Sequence, residues 1–298
     1  MRCLVTGGCG FIGSHLVDKL IDRGYSVVVL DNLSTGKIEN LNPIAAFYNE
    51  DVTNLKSIKK YFKNIDYVFH LAALPRIQPS FEQPVEHEDV NVIGTINCLM
   101  ASRDNEIKKF IFAGSSSCYG NTKEIPTSET ASVDCLNPYA LQKYTAEQYC
   151  LILGKRYGIS VNSVRYFNPY GPRSFNPKNP LNAYSSVVGI FNNQAKTTGI
   201  LTITGDGEQS RDFIHVYDLA EATVLAAEKD VEGEVFNVGY GESYTINYLS
   251  SLFNCKIAHT PERQGESEIT LANIDKAKKL LGWKPEISLF EGIKKYEI

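Results

Sequence analysis

Tyr139 and Lys143 stand four apart in Pro138-Tyr-Ala-Leu-Gln-Lys143, a spacing that puts a phenol and an ammonium on one face of a helix. A phenol with a pKa of about 10 is a poor base at neutral pH, and a neighbouring cation favours its phenolate. The pair alone recurs by chance on exposed helices, so its meaning depends on the rest of the chain. In Phe110-Ile-Phe-Ala-Gly-Ser-Ser-Ser-Cys-Tyr-Gly120 an apolar run ends in hydroxyls, Ser115 first among them. Open α/β sheets hold ligands beyond the carboxyl ends of their strands; a polar strand-end turn is the plainer reading.

A third segment, Thr6-Gly-Gly-Cys-Gly-Phe-Ile-Gly13, follows a strand-like run and opens a helix-like one. Gly7, Gly10 and Gly13 there permit a tight turn, close approach of backbone N–H groups to a pyrophosphate, and close helix–strand contact. The helix N-terminus adds partial positive charge. By itself such a loop is only a turn, but Asp31 ends the next strand-like run about 20 residues on. A carboxylate there accepts hydrogen bonds from ribose hydroxyls and repels a 2′-phosphate, which favours NAD over NADP. Its positive nicotinamide would add to the pull of Lys143 on the phenol. Asp51-Val52, after a further short strand, is a candidate adenine contact, and equally an ordinary helix cap.

These residues need a scaffold that gathers strand ends. The 298 residues suffice for one large domain or a main domain with a smaller partner. Over the first two-thirds, strand-like runs at 3–6, 27–30, 67–71 and 110–113 alternate with helical patterns at 11–23, 54–60, 90–103 and 139–157. That alternation predicts a Rossmann-type, doubly wound parallel sheet with helices on both faces. After about Tyr170, Gly171-Pro172, Asn176-Pro177 and Asn179-Pro180 mark a long loop. A helix is expected at 183–196 and a strand at 201–204. The expected division is a cofactor-binding domain over 1–170 and a smaller α/β substrate-binding domain over 171–298, with a segment near 213–240 returning to the sheet.

A formal net charge of −4 leaves no basic footprint for nucleic acid. No apolar run reaches the roughly 18 residues of a membrane span, and Met1-Arg-Cys-Leu-Val-Thr reads straight into a strand, so a cytoplasmic, non-membrane protein is expected. Seven scattered cysteines without a Cys-x-x-Cys pair or Cys/His cluster give no metal site and read as reduced thiols.

Taken together, Ser115, Tyr139 and Lys143 match the Ser/Tyr/Lys set of the short-chain dehydrogenase/reductases. The chain resembles the extended, nucleotide-sugar branch of that family over nearly its whole length. Further segments carry the likeness: Leu71-Ala-Ala73, Asp89-Val-Asn-Val-Ile-Gly-Thr95, Arg165-Tyr-Phe-Asn-Pro-Tyr-Gly-Pro172, Gly205-Asp-Gly-Glu-Gln-Ser-Arg-Asp-Phe213, Asn237-Val-Gly239 and Leu280-Leu-Gly-Trp-Lys-Pro285. The resemblance implies bound NAD contacted also by Phe11, Ile12, Asn32, Leu71, Ala72, Ala73 and Tyr166. It implies a UDP-sugar held by Ser115, Ser117, Asn168, Val187, Arg211, Arg263 and Thr270, with Asn168 and the two arginines on the diphosphate. Guanidinium forks suit diphosphate oxygens, although an arbitrary arginine more often makes a surface ion pair.

In such enzymes the tyrosine takes the sugar 4-OH proton as C4 hydride passes to NAD, and a 4-keto sugar results. Dehydratases of the family carry acids directly after the serine or threonine, and related decarboxylases place a Glu there; here stand Ser116 and Ser117. The resemblance therefore implies 4-epimerisation, with a 4-keto reductase, a dehydratase or a non-catalytic cofactor-binding protein as alternatives. Thr270, eight residues along from Arg263 counted inclusively, takes a place where a bulky Tyr restricts relatives to unsubstituted hexoses. The small residue favours UDP-GlcNAc and UDP-GalNAc, with UDP-Glc and UDP-Gal still possible. Glu266 departs from the usual Asp. The resemblance also implies a homodimer through a four-helix bundle built from the helices around 90–103 and 139–157, whose apolar faces can equally be satisfied within one chain.

Overall fold

The computed structural model describes residues 1–175 and 186–296. Strand β1 (Arg2–Thr6) leads through the glycine loop into helix α1 (Phe11–Asp22), then β2 (Ser26–Asp31) and β3 (Ala46–Asn49). Helix α2 (Leu55–Ile58), capped by the Asn54 side chain, tightens into a 3₁₀ turn at Lys59–Phe62 before β4 (Tyr67–His70). Next come α3 (Ile77–Glu82), α4 (Pro84–Glu88), a π turn at Asp89–Ile93 and α5 (Gly94–Arg103). The helix expected from residue 90 thus starts earlier, at Pro84. Inside the π turn, Asn91 fixes the loop after β4, accepting from Leu74 N at 2.8 Å and donating to Leu74 O at 3.1 Å.

Strand β5 (Lys109–Ser115) is buried until its last residue, and it delivers Ser115 to the sheet's carboxyl edge. Helix α6 (Pro138–Tyr157) starts on Asn137, whose side chain accepts from Ala140 N, has Pro138 in its first turn, and ends on left-handed Gly158. These are ordinary start and stop signals, and they fix where Tyr139 and Lys143 fall on the first turns. Strands β6 (Ser160–Tyr166) and β7 (Pro169–Tyr170) follow.

The main sheet is parallel throughout, in the order β3-β2-β1-β4-β5-β6-β11. Its last strand, β11 (Val235–Val238), arrives after α8 (Val216–Glu228) and pairs with β6. One core cluster holds Leu16, Val17 and Leu20 of α1 with Leu219, Ala222 and Val224 of α8. A second, against α5 and α6, holds Cys98, Leu99, Ala146 and Cys150. The sheet order reverses between β1 and β4, which opens a crevice at the carboxyl ends of the strands.

The remaining elements stand around a third cluster that includes Tyr170, Phe191, Leu201 and Phe213, except that Ile214, Ala277 and Leu281 join the first cluster. They are α7 (Val187–Thr197), β8 (Ile200–Thr204), β9 (Ser210–Asp212), β10 (Ile214–His215), β12 (Ser243–Thr245), α9 (Ile246–Ser251), β13 (Lys256–Thr260), α10 (Asp275–Leu281) and α11 (Leu289–Tyr296). Their strands form two-stranded pairs, β10 with β7, β12 with β9 and β13 with β8. The first residues of the helix expected at 183–196 lie outside the described residues; Ser186 caps α7, its hydroxyl accepting from Gly189 N at 3.0 Å. All seven cysteines are free, and five are buried.

Candidate active site

The glycine loop takes its shape from two contacts that no side chain would survive. A Cβ on Gly13 would lie 2.1 Å from Gly7 O, and one on Gly7, at φ +72°, would lie 2.7 Å from Ala72 N. The loop therefore lies against both the α1 N-terminus and the end of β4. Asp31 fastens it from the side: one carboxylate oxygen accepts from Cys9 N at 2.9 Å and the other from Leu33 N at 2.8 Å. Burial pushes this carboxyl up, against those two hydrogen bonds.

His70 holds the end of β4. Its Nδ1 lies 2.8 Å from Thr6 Oγ1 and its Nε2 lies 2.9 Å from Thr95 Oγ1. Thr6 Oγ1 accepts from the Leu71 and Ala72 amides, and Thr95 donates to Asn91 O at 2.7 Å. The Thr6 proton is thus left for Nδ1, and Nε2–H donates to Thr95. Burial lowers the His70 pKa to about 3, so the ring is neutral and acts as a strut.

A cavity of about 820 Å³ runs from this loop along the sheet edge to β9 and the loop at 263–270. It is lined by Gly7, Gly10, Phe11, Ile12, Gly13, Asp31, Asn32, Val52, Leu71, Ala72, Ala73 and Tyr166 at one end. Ser115, Ser117, Tyr139 and Lys143 lie along it, as do Asn168, Val187, Arg211, Arg263 and Thr270. Asp51 is the one sequence-selected residue not in the lining. Its carboxylate accepts from Thr53 N, Thr53 Oγ1 and Asn32 Nδ2 at 2.7–2.9 Å, while the adjacent Glu50 and Val52 line the wall.

Ser115 Oγ is 2.8 Å from Ser117 Oγ. Burial raises the Tyr139 pKa, and the neighbouring Ser115 hydroxyl and the charge of Arg76 pull it back. Lys143 is not among the groups that lower it, and burial brings the lysine's own pKa down to about 8. Its ammonium sits 4.3 Å over the face of Phe112, a low-dielectric seat that penalises charge. Arg76 was missed in the sequence. It lines the cavity at φ +118°, a backbone state rare for a residue with a side chain.

At the far end, Asn168 Nδ2 donates to Thr270 Oγ1 at 2.9 Å and to Asp212 O at 3.0 Å, and Asp212 N donates to Thr270 Oγ1 at 3.1 Å. Thr270 is thus a small wall residue and a fastening of β9 together. Arg211 is only 12% exposed and Arg263 is 56% exposed; Glu266 lies 3.5 Å from the first and 3.9 Å from the second, holding both at one lip. Among the described residues, the acids lining the cavity are Asp31, Glu50 and Glu266, none of them in the Ser115–Ser117 turn. No cluster of metal-ligating side chains occurs among the described residues.

A glycine loop at the switch point of a parallel sheet, an acid at the end of β2 and a Ser/Tyr/Lys group beside them define a dinucleotide-dependent enzyme of the short-chain dehydrogenase/reductase class. The residues fit the dinucleotide: backbone N–H groups at a helix start, no side chain to fill the loop, and a carboxylate at the ribose position. The chain belongs to the NAD dependent epimerase/dehydratase family, whose model matches residues 3–239. It is 40% identical over 300 residues to a putative UDP-glucose 4-epimerase of Methanocaldococcus jannaschii, covering 98% of this chain and 96% of that one.

Two solved structures superpose over almost the full length. One is the UDP-glucose 4-epimerase of Thermotoga maritima with UDP-glucose (TM-score 0.94, 39% identity, 100% of this chain and 97% of that one). The other is the UDP-N-acetylglucosamine 4-epimerase of Methanobrevibacter ruminantium in complex with UDP-N-acetylmuramic acid (TM-score 0.92, 36% identity, 99% and 96%).

Proposed function

We propose that this chain is a UDP-hexose 4-epimerase, and the observation that carries the reading is the Ser115–Ser117 turn beside Tyr139 with no acid in it. The glycine loop and Asp31 would hold NAD, which would supply a reversible hydride acceptor for sugar C4. Tyr139 accepts the 4-hydroxyl proton and gives it back, so its net protonation is unchanged over a cycle. Ser115 holds the same oxygen, and Ser117 orients Ser115 through the 2.8 Å contact. Lys143 brings positive charge to this end of the cavity. Elimination of a hydroxyl would need a proton donor that this turn does not offer.

Arg211, Arg263 and Asn168 anchor the diphosphate, which leaves the 4-keto sugar free to turn over. Thr270 leaves room for a 2-acetamido group, so UDP-GlcNAc and UDP-GalNAc are accepted with UDP-Glc and UDP-Gal. Residues 1–170 with the segment at 213–240 serve NAD, and the rest of 171–298 serves mainly the UDP-sugar. Val85, Ile93, Leu141, Tyr149 and Ile152 are exposed apolar residues on α4, the π turn and α6. They suit a two-fold four-helix contact in a homodimer, and a monomeric mass by light scattering at micromolar concentration would contradict it. No described helix is long and apolar enough to cross a membrane, and a cytoplasmic location is part of the proposal.

Incubation with each of the four UDP-sugars, followed by NMR of the anomeric protons, should show interconversion of 4-epimers. Unchanged starting material across the panel would overturn the reading. Net oxidation of NADH, or a 4-keto-6-deoxy product, would point to the reductase or dehydratase instead.

A further inference from the structure

The loop that carries Arg263 and Glu266 is tied to β9 through the Arg211–Glu266 pair and through Ser210 N, which donates to Glu268 O at 2.9 Å. Its other fastenings, at 264–265, run to the start of the catalytic helix and to α3. Asn137 Nδ2 donates to Gly265 O at 2.9 Å, while Asn137 Oδ1 accepts from Ala140 N at 2.8 Å and caps α6. Gln78 Nε2 donates to Gln264 O at 3.0 Å. Gly265, at φ +80°, lies so close to α3 that a Cβ there would sit 3.1 Å from the Phe81 ring and 3.3 Å from Leu136 O. On its other side α3 also meets α6, with Tyr139 N donating to Ser80 Oγ at 3.1 Å.

We propose that Asn137 is a positioning residue which, by capping the Tyr139/Lys143 helix with one side-chain atom and holding Gly265 with the other, fixes the Arg263–Glu266 loop at the anion end of the cavity. It touches no reacting atom. One amide thereby sets the position of the arginine lip relative to the first turn of α6, a relation that neither element's own secondary structure determines. Arg263 is largely exposed and Glu266 partly so, and neither can fix the loop by burial. The inference rests on the reading of that lip as the diphosphate site.

Asn137→Ser separates the two duties, since a serine hydroxyl still caps α6 but is too short to reach Gly265. The expected result is a dissociation constant for UDP, and a KM for the accepted UDP-sugar, raised about five-fold, the scale of one lost buried hydrogen bond. The kcat and its pH profile should stay at the wild-type values, and amide hydrogen exchange over residues 262–267 should quicken without any ligand. Gln78→Ala, which leaves the cap untouched, should quicken exchange in the same loop. Wild-type exchange and UDP affinity in Asn137→Ser would overturn the proposal. So would a variant whose only changes are lower kcat and lower unfolding temperature, which would make Asn137 a cap alone. Should exchange quicken while the wild-type chain fails to bind UDP, the fastening stands and the diphosphate reading falls.

Discussion

The two ends of the cavity are built in opposite ways. At the glycine-loop end, function rests on backbone: Gly7 and Gly13 in contact with neighbouring main chain, and amides tied to Asp31, inside a parallel sheet whose central strands are buried on both faces. At the arginine end it rests on long charged side chains held by ion pairs with Glu266, among two-stranded pairs of which β13 is exposed at every residue. The first arrangement is rigid because moving one residue moves a strand. The second is adjustable, which suits a site that must grip a constant diphosphate while admitting different sugars.

The comparison breaks most visibly at the junction of the two ends, on Tyr139. Tyr139→Phe should lower kcat by about 10³–10⁴-fold while the dissociation constants for NAD and UDP stay within about two-fold. A variant with near-normal turnover would hand the proton transfer to another group. Lys143→Met should lower kcat by about 10²-fold and raise stability. With its pKa depressed to about 8 from 10.5, the unfolded chain binds the proton more readily than the folded one. The cost of the buried ammonium is thus full below about pH 8 and is relieved between about 8 and 10.5. Urea unfolding should find the variant more stable by about 3 kcal/mol at most at pH 7, with the gain gone near pH 11; a less stable variant at pH 7 would refute this.

At the arginine end the effects are selective. Thr270→Tyr should lower kcat/KM for UDP-GlcNAc about 100-fold and for UDP-Gal about ten-fold or less, on the scale of a clash set against two lost hydrogen bonds. Equal losses for both sugars would remove Thr270 from the size-selecting wall. Smallest is the contrast between the two arginines. Arg211→Ala should raise KM about 30-fold and Arg263→Ala about three-fold, because charge pairing strengthens as water is excluded and Arg211 is the more buried. The reverse order, measured at saturating NAD, would show that the exposed arginine closes on the substrate.

The same contrast explains what was legible in the sequence. Apolar runs of four or five residues alternating with helical patterns gave the parallel sheet and placed the helical pattern at 139–157 within one residue of α6, because local spacing encodes those features. The end of β2 at Asp31 and the end of β5 at Ser115 followed from strand length. What stayed hidden depends on contacts between residues far apart. Asn137 meets Gly265 across 128 positions and Gln78 meets Gln264 across 186, and no periodicity announces either. Arg76 escaped because a left-handed arginine has no local signature; of the pair Asp51-Val52, Val52 lines the cavity while Thr53 and Asn32 hold the Asp51 carboxylate. The basicity assigned to Tyr139 needed the surroundings of Lys143, where Phe112 replaces water.

The late arrival of β11 bears on how the protein is made. Strand β6 receives its outer neighbour only when Val235–Val238 have been synthesised, and chains grow at about 5–20 residues per second. For on the order of several seconds on the ribosome, the nascent chain carries a main-sheet strand with an open edge, a template for pairing with another chain. The order in which the polypeptide leaves the ribosome, as much as the finished contacts, thus sets the interval in which this protein is open to misassembly.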